Sequence, residues 1–160
     1  MGRKSPDGGV GLSAESRLRR FGTAVLAALV ACVALAQSPA LKVQNAWTRQ
    51  TPGSDVVAVY LTLRNVTTKP VTVTGVESPV ASHAMIHETK TENGLSKMRP
   101  HEELVIPPGQ TVKLEPSGLH IMLHGLSAPV AVGQSVPLVL LLADGSKVPV
   151  AAIVRPLGAE

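Results

Sequence analysis

Cysteine is almost absent from this 160-residue chain, whose single cysteine is Cys32. The sequence beyond Cys32 therefore has no disulfide framework and no thiolate ligand for a metal. Any soft metal ligand in that part has to be a methionine, because thioether sulfur is the other soft donor that protein side chains offer.

Aromatic and charged residues are also scarce. The chain has one Trp, one Tyr and one Phe, so the core must consist mainly of Val, Leu and Ile, with Trp47 and Tyr60 interpreted as core anchors. Five of the 15 Lys and Arg and two of the 11 Asp and Glu precede Gln37. The remainder is close to neutral and lacks the basic patch of a nucleic-acid-binding protein. It also lacks a Ser/His/Asp spacing, a Gly-rich phosphate loop and paired carboxylates, so no enzyme is predicted.

No apolar run has the roughly 20 residues that are needed to span a bilayer. The run at residues 21–35 follows three closely spaced arginines and ends in an Ala-Leu-Ala site. These are the parts of a secretory signal peptide, so residues 1–36 are predicted to be a cleaved signal and residues 37–160 a single domain in the periplasm or another extracytoplasmic compartment. The alternative is a lipobox, in which an acylated Cys32 anchors the protein to the membrane.

The sequence after the signal predicts an all-β domain. Apolar or alternating segments that are typical of strands lie at residues 43–49, 56–63, 71–76, 111–115, 136–142 and 148–154. Gly, Pro and Asn turn signals separate them, and Asp144-Gly145 predicts a hairpin between the last two. Several short strands with such turns indicate a β-sandwich or barrel.

Histidine and methionine are concentrated in one window. All five histidines and every methionine except the first residue lie in it. Its members are His83, Met85, His87, Met98, His101, His120, Met122 and His124. Two His-x-Met-x-His triplets within this set have the spacing of alternate strand residues, so each would line one face of a strand. If the two strands are neighbours, four to six donors converge.

The donor types in this window favour copper. Thioether sulfur is soft and imidazole is borderline, so a mixed His/Met site prefers Cu(I). Zinc usually takes Cys, His and carboxylate ligands, and calcium and magnesium require oxygen ligands. The residue types alone thus indicate a copper site with several alternative ligand sets.

The long-range order of these residues resembles a known family. His87, Met98, His120 and Met122 reproduce the His-x10-Met-x21-His-x-Met signature of the periplasmic copper chaperones called PCu(A)C, and the similarity extends over residues 43–154. The resemblance implies a cupredoxin-like Greek-key β-sandwich that holds Cu(I) through these four residues. It also implies delivery of copper to other exported proteins, with the CuA centre of cytochrome c oxidase as the best-known acceptor.

The resemblance sets expectations for residues outside the signature as well. Glu88 stands where some members have a further methionine, so no fifth sulfur ligand is expected there. The His/Met-rich tail that some members use for a second, Cu(II) site is missing from this sequence, and no such site is expected. His83 and Met85 are candidate auxiliary metal ligands, whereas His101 and His124 are expected to be solvated or packed residues.

The leading hypothesis is a copper chaperone, because four protein ligands around Cu(I) leave little room for an open catalytic position. A copper-sequestration or resistance protein uses the same ligands, and a metal-free exported interaction domain is a further alternative. A blue-copper electron-transfer protein is disfavoured, because its centre needs a Cys thiolate together with two histidines.

Overall fold

The computed structural model describes residues 39–158, a region of β-strands joined by turns. Ten strands form in it: β1 (Leu41–Arg49), β2 (Val57–Asn65), β3 (Val71–Glu77), β4 (Ala81–Glu92), β5 (Leu95–Pro100), β6 (Leu104–Ile106), β7 (Thr111–Leu114), β8 (Leu119–Leu126), β9 (Ser135–Leu142) and β10 (Lys147–Arg155). The all-β prediction is confirmed, and each of the predicted strand segments is present with slightly different bounds.

Alternation of side chains between the two faces explains why these segments form strands. In β2, Val57, Val59, Leu61 and Leu63 are buried, and the residues between them are largely half-buried. The same alternation occurs in β9 and β10. A strand with this pattern packs one face on the core and leaves the other face accessible.

The strands form one continuous sheet that curls around the core. Its order is β5-β4-β8-β2-β1-β10-β9-β3-β6, and β7 also pairs with β2. The pairing of β1 with β10 is parallel, and the other strand pairs are antiparallel. Neighbours that are distant in sequence, such as β2 and β8, are typical of Greek-key connections.

The inner face of the curled sheet encloses an apolar core. Aliphatic residues from nearly every strand contribute to it, including Leu61, Ile121, Leu123, Leu138 and Leu140. Burial of such side chains stabilises the fold by about 25 cal/mol per Å² of apolar surface. Since Ile86 of β4 and Ile121 of β8 point into this core, the outer faces of β4 and β8 carry the residues that alternate with them.

A β-bulge in β1 decides where the one tryptophan lies. The register of the pairing with β2 shifts by one residue between Gln44 and Trp47, and Asn45 within this shift has a φ of 51°. The extra residue reverses the facing of the strand beyond it, so Trp47 lies opposite Tyr60 on the outer face. Trp47 is buried, as expected of an anchor, but neither ring belongs to the apolar core cluster.

The turns include the predicted hairpin, and the edges include two strands that the sequence did not indicate. β9 and β10 pair antiparallel around Asp144-Gly145, where the Asp144 carboxylate accepts hydrogen bonds from the backbone N–H and hydroxyl of Ser146. β5 and β6 are the edge strands. All residues of β5 are exposed, so it has no apolar alternation from which a strand could be predicted.

Candidate metal centre

Antiparallel pairing of β4 with β8 brings the two His-x-Met-x-His triplets face to face. The directly opposed pairs are His87 with His120, Met85 with Met122, and His83 with His124. Opposed residues of an antiparallel pair project from the same face, with Cβ atoms about 4.5–5.5 Å apart. These six residues are called the His/Met ladder below. The predicted strand placement of both triplets is confirmed, and the two strands are neighbours.

The ladder lies on the outer face of the sheet and becomes more exposed along its length. His120 is 4% exposed, and His87 and Met122 are half-buried. Met85 is 39% exposed, and His83 beyond it is also exposed. One end of the ladder is therefore shielded by the domain and the other end opens to solvent.

Met98 reaches the same face from the edge strand β5. It lies directly opposite Thr89 of β4, and Thr89 is on the ladder face because it alternates with His87. Met98 is thus a diagonal neighbour of His87, at about 7–8 Å between backbones, within reach of a long thioether side chain. The side chain is 50% exposed. The structure accordingly brings His87, Met98, His120 and Met122 to one face of three adjacent strands.

The imidazole of His120 is oriented by the backbone. Its Nδ1 lies 3.0 Å from the carbonyl oxygen of Gly118. A carbonyl oxygen can only accept, so Nδ1 carries a proton, and in the neutral form of the ring the lone pair is on Nε2. The same carbonyl oxygen accepts the backbone N–H of Thr89 at 3.0 Å. A contact of this kind fixes the tautomer and ring orientation of a metal-ligating histidine.

The imidazole of His87 is kept neutral by its surroundings. Burial lowers its pKa below the usual value, and the neighbouring His120 and His124 lower it further. Its Nδ1 is buried and has no hydrogen-bond partner among the described residues. Since buried polar atoms normally have a partner, this nitrogen is a candidate metal donor.

The ring centroids of His87 and His120 are 5.9 Å apart, and those of His87 and His124 are 6.3 Å apart. His101 lies just beyond Pro100, the residue opposite His87, and its backbone N–H donates a hydrogen bond to the carbonyl oxygen of Ile86. Within residues 39–158, no three His, Cys, Asp or Glu side chains come together as a metal-ligating group. The donors that the fold does bring together are therefore a mixture of imidazole and thioether.

A second set of rings continues from His120 across the outer face. The Tyr60 ring lies 6.4 Å from His120 and 4.7 Å from Trp47, measured between centroids. The guanidinium groups of Arg49 and Arg155 lie 5.4 and 4.7 Å from the centroid of the Trp47 ring, within cation–π range. Sequence reasoning missed this extension, because the bulge that turns Trp47 outward leaves no periodic signal.

Comparison with solved structures defines the class of the fold. The copper-bound PCuAC domain of PmoF2 matches with a TM-score of 0.62 at 21% identity, over 74% of this chain and 94% of that domain. The CuI form of DR1885 from Deinococcus radiodurans matches with a TM-score of 0.60 at 34% identity, over 75% of this chain and 81% of that one. The domain has the all-β, cupredoxin-like fold of PCuAC copper chaperone domains, as the resemblance implied.

Sequence comparison identifies the family. The family described as "Putative lipoprotein LpqE-like" matches residues 41–154. A curated relative, "Putative lipoprotein Lxx21020" of Leifsonia xyli subsp. xyli, is 36% identical in an alignment 156 residues long that covers 90% of this chain and 93% of that protein. The chain belongs to the LpqE-like family, which shares the PCuAC-type fold. Residues 39–158 form no helix that is long and apolar enough to cross a membrane.

Proposed function

We propose that this chain is an exported copper-binding protein that holds one Cu(I) ion through His87, Met98, His120 and Met122. The observation that carries the proposal is the meeting of these four residues on the outer face of three adjacent strands. The CuI form of DR1885, at 34% identity, adds support from a related protein.

The chemistry of the donors fits Cu(I). The lone pair of His120 on Nε2 and the unpartnered Nδ1 of His87 supply two neutral nitrogen donors. Met98 and Met122 supply two soft sulfur donors, which need no deprotonation and cannot be lost to a disulfide. A bound Cu(I) ion would also give the buried Nδ1 of His87 the partner that it lacks.

Delivery rather than permanent storage is supported by the unequal exposure of the ligands. His120 is almost completely buried, whereas Met98 is half-exposed on an edge strand. An acceptor protein can displace the exposed thioether first, while the histidines still hold the ion. We therefore propose a chaperone that passes Cu(I) to other exported proteins, of which the CuA site of cytochrome c oxidase is the first acceptor to test. The protein acts by binding and is not an enzyme.

The proposed location is extracytoplasmic. The sequence of residues 1–36 is that of a cleaved signal, or of a lipoprotein leader with Cys32 as the acylated residue; these residues lie outside the described part of the chain. Membership of a family described as lipoproteins supports the leader hypothesis. Residues 37–160 would then be the copper-binding domain.

A Cu(I) titration against a chromophoric chelator tests the site. Met98→Ala and Met122→Ala are each expected to weaken binding, because each removes a sulfur donor. Leu95→Ala is the matched control: it shortens another exposed apolar side chain of β5 without removing a donor, and should bind as the wild type does. Wild-type affinity in both methionine variants would contradict the assignment.

A Cu(I) transfer experiment distinguishes a chaperone that delivers copper from a protein that only sequesters it. The Cu(I)-loaded protein is mixed with an apo CuA domain, and the optical bands of the CuA centre are followed. Appearance of these bands is expected for a chaperone. If the copper stays with the loaded protein although the acceptor is competent for free Cu(I), the protein is a sequestration protein.

A further inference from the structure

The solvent-exposed end of the His/Met ladder contains donors that the four-ligand site does not use. His83 lies directly opposite His124, and the next pair along the ladder is Met85 with Met122. Three of these residues, His83, Met85 and His124, are outside the His-x10-Met-x21-His-x-Met set. They nevertheless form two imidazoles and one thioether on one face of two paired strands.

The ring of His124 is close enough to a neighbouring imidazole to share an ion with it. A metal–nitrogen bond of roughly 2 Å places two imidazole centroids on one ion at most about 6.5 Å apart. The distances from His87 to His120 and to His124, 5.9 and 6.3 Å, both meet this limit. His124 thus has two possible partners for sharing an ion, His87 and the directly opposed His83.

We propose a second copper position at the exposed end of the ladder, formed by His83, Met85 and His124. This position is on the same face as the His87/His120 end of the ladder. The proposal rests on the proposed function, because both positions are expected to bind Cu(I). Its donors are softer than those of a zinc site and include no carboxylate, so Cu(I) is the expected ion.

Local backbone contacts hold the outer end of the ladder in place. The Ser82 hydroxyl donates a hydrogen bond of 3.1 Å to the carbonyl oxygen of His124. Gly125, which follows His124, has a φ of 62°, and a side chain there would collide with that of Ser82. The strand end that carries His124 is thus closely packed against the strand end that carries His83. The exposure of His83 and Met85 makes this position accessible to copper from solvent. It offers three donors against four at the inner site, so it should bind copper more weakly.

Anaerobic titration of the purified protein with Cu(I), in competition with a chromophoric chelator, tests the second position. We expect two Cu(I) per wild-type chain, the second bound more weakly. His83→Ala, which leaves the inner ligands and their neighbour His124 in place, should lose the second Cu(I), with the affinity of the first equivalent unchanged. Leu95→Ala is the control, since it shortens an exposed side chain of β5 without removing a donor, and should still bind two.

The outcomes separate this inference from the proposed function. One Cu(I) in the wild type, or two of wild-type affinity in His83→Ala, overturns the second position and leaves the inner site intact. If Met98→Ala/Met122→Ala still binds two ions with wild-type affinities, the inner site is wrong. If that variant instead loses the tighter ion and keeps one that disappears on adding His83→Ala, both positions stand. Circular dichroism of each variant, with single substitutions in place of any that misfolds, confirms that lost binding reflects lost ligands.

Discussion

Replacing Met98 by leucine should separate copper affinity from fold stability. The side chain is 50% exposed and lies on the edge strand, and leucine has nearly the same volume. A volume-conserving swap in a core usually costs less than about 1.5 kcal/mol of stability. At a half-exposed position the cost should be at most half of that, so the free energy of unfolding of Met98→Leu should lie within about 0.8 kcal/mol of the wild-type value. At the proposed site, copper would lose one of its two sulfur donors in the same variant.

The loss of affinity should be much larger than the loss of stability. Removing a group that only supports a metal ligand typically costs 10–100-fold in affinity, so removing a ligand should cost at least about 100-fold, which corresponds to about 2.8 kcal/mol. Chelator competition measures the copper affinity, and urea unfolding of the metal-free protein measures the stability of the fold. The contrasting variant Ile86→Ala removes a buried side chain between two ladder residues and should lower the free energy of unfolding by about 2–5 kcal/mol. Met98→Leu with an affinity within threefold of wild type would refute the reasoning.

Three further predictions follow from individual contacts. Gly125→Ala should lower the free energy of unfolding by about 1–3 kcal/mol, because the residue has a positive φ and its new methyl group meets the side chain of Ser82. Adding Ser82→Ala should restore part of the lost free energy of unfolding. Wild-type stability of the single variant would contradict the turn geometry. The lowered pKa of His87 means that the folded protein binds fewer protons than the unfolded chain. The metal-free protein should therefore lose stability as pH falls from about 6.5 through the folded pKa. His87→Gln should flatten this part of the plot of urea midpoint against pH, and an unchanged slope would refute the role of His87. The emission of Trp47, the one tryptophan, should change at one equivalent of Cu(I), since a single ring separates it from His120, and it should not change in a variant whose copper site has been removed.

The sequence predicts most of the site because strand periodicity and chain order are both visible in it. The His-x-Met-x-His spacing indicates two strands with donors on one face, and the structure adds only that these strands are neighbours. Met98 is different, because its strand carries no apolar alternation; its assignment to the site depends on the spacing of the family signature. Its place on the ladder face follows from the register with Thr89, which local sequence does not encode.

The surroundings of the site were less predictable than the ligands. Trp47 was interpreted as a core anchor because a large aromatic residue in a small β domain usually packs inside. A one-residue register shift moves every later side chain of the strand to the opposite face of the sheet. Asn45 alone is not a sequence signal from which that shift could be predicted. The same limit applies to the neutral state of His87, which depends on burial by strands that are distant in sequence.

The carbonyl oxygen of Gly118 accepts hydrogen bonds both from the ring of His120, a proposed ligand, and from the backbone of the neighbouring strand. The orientation of His120 is consequently complete as soon as β4 and β8 have paired, and folding rather than metal capture meets the entropic cost of ordering this ring. The ordering that remains for an arriving ion concerns the half-exposed thioether on β5. Capture and release should therefore differ mainly in the rotamer population of one methionine, with the sheet itself unchanged between the two states.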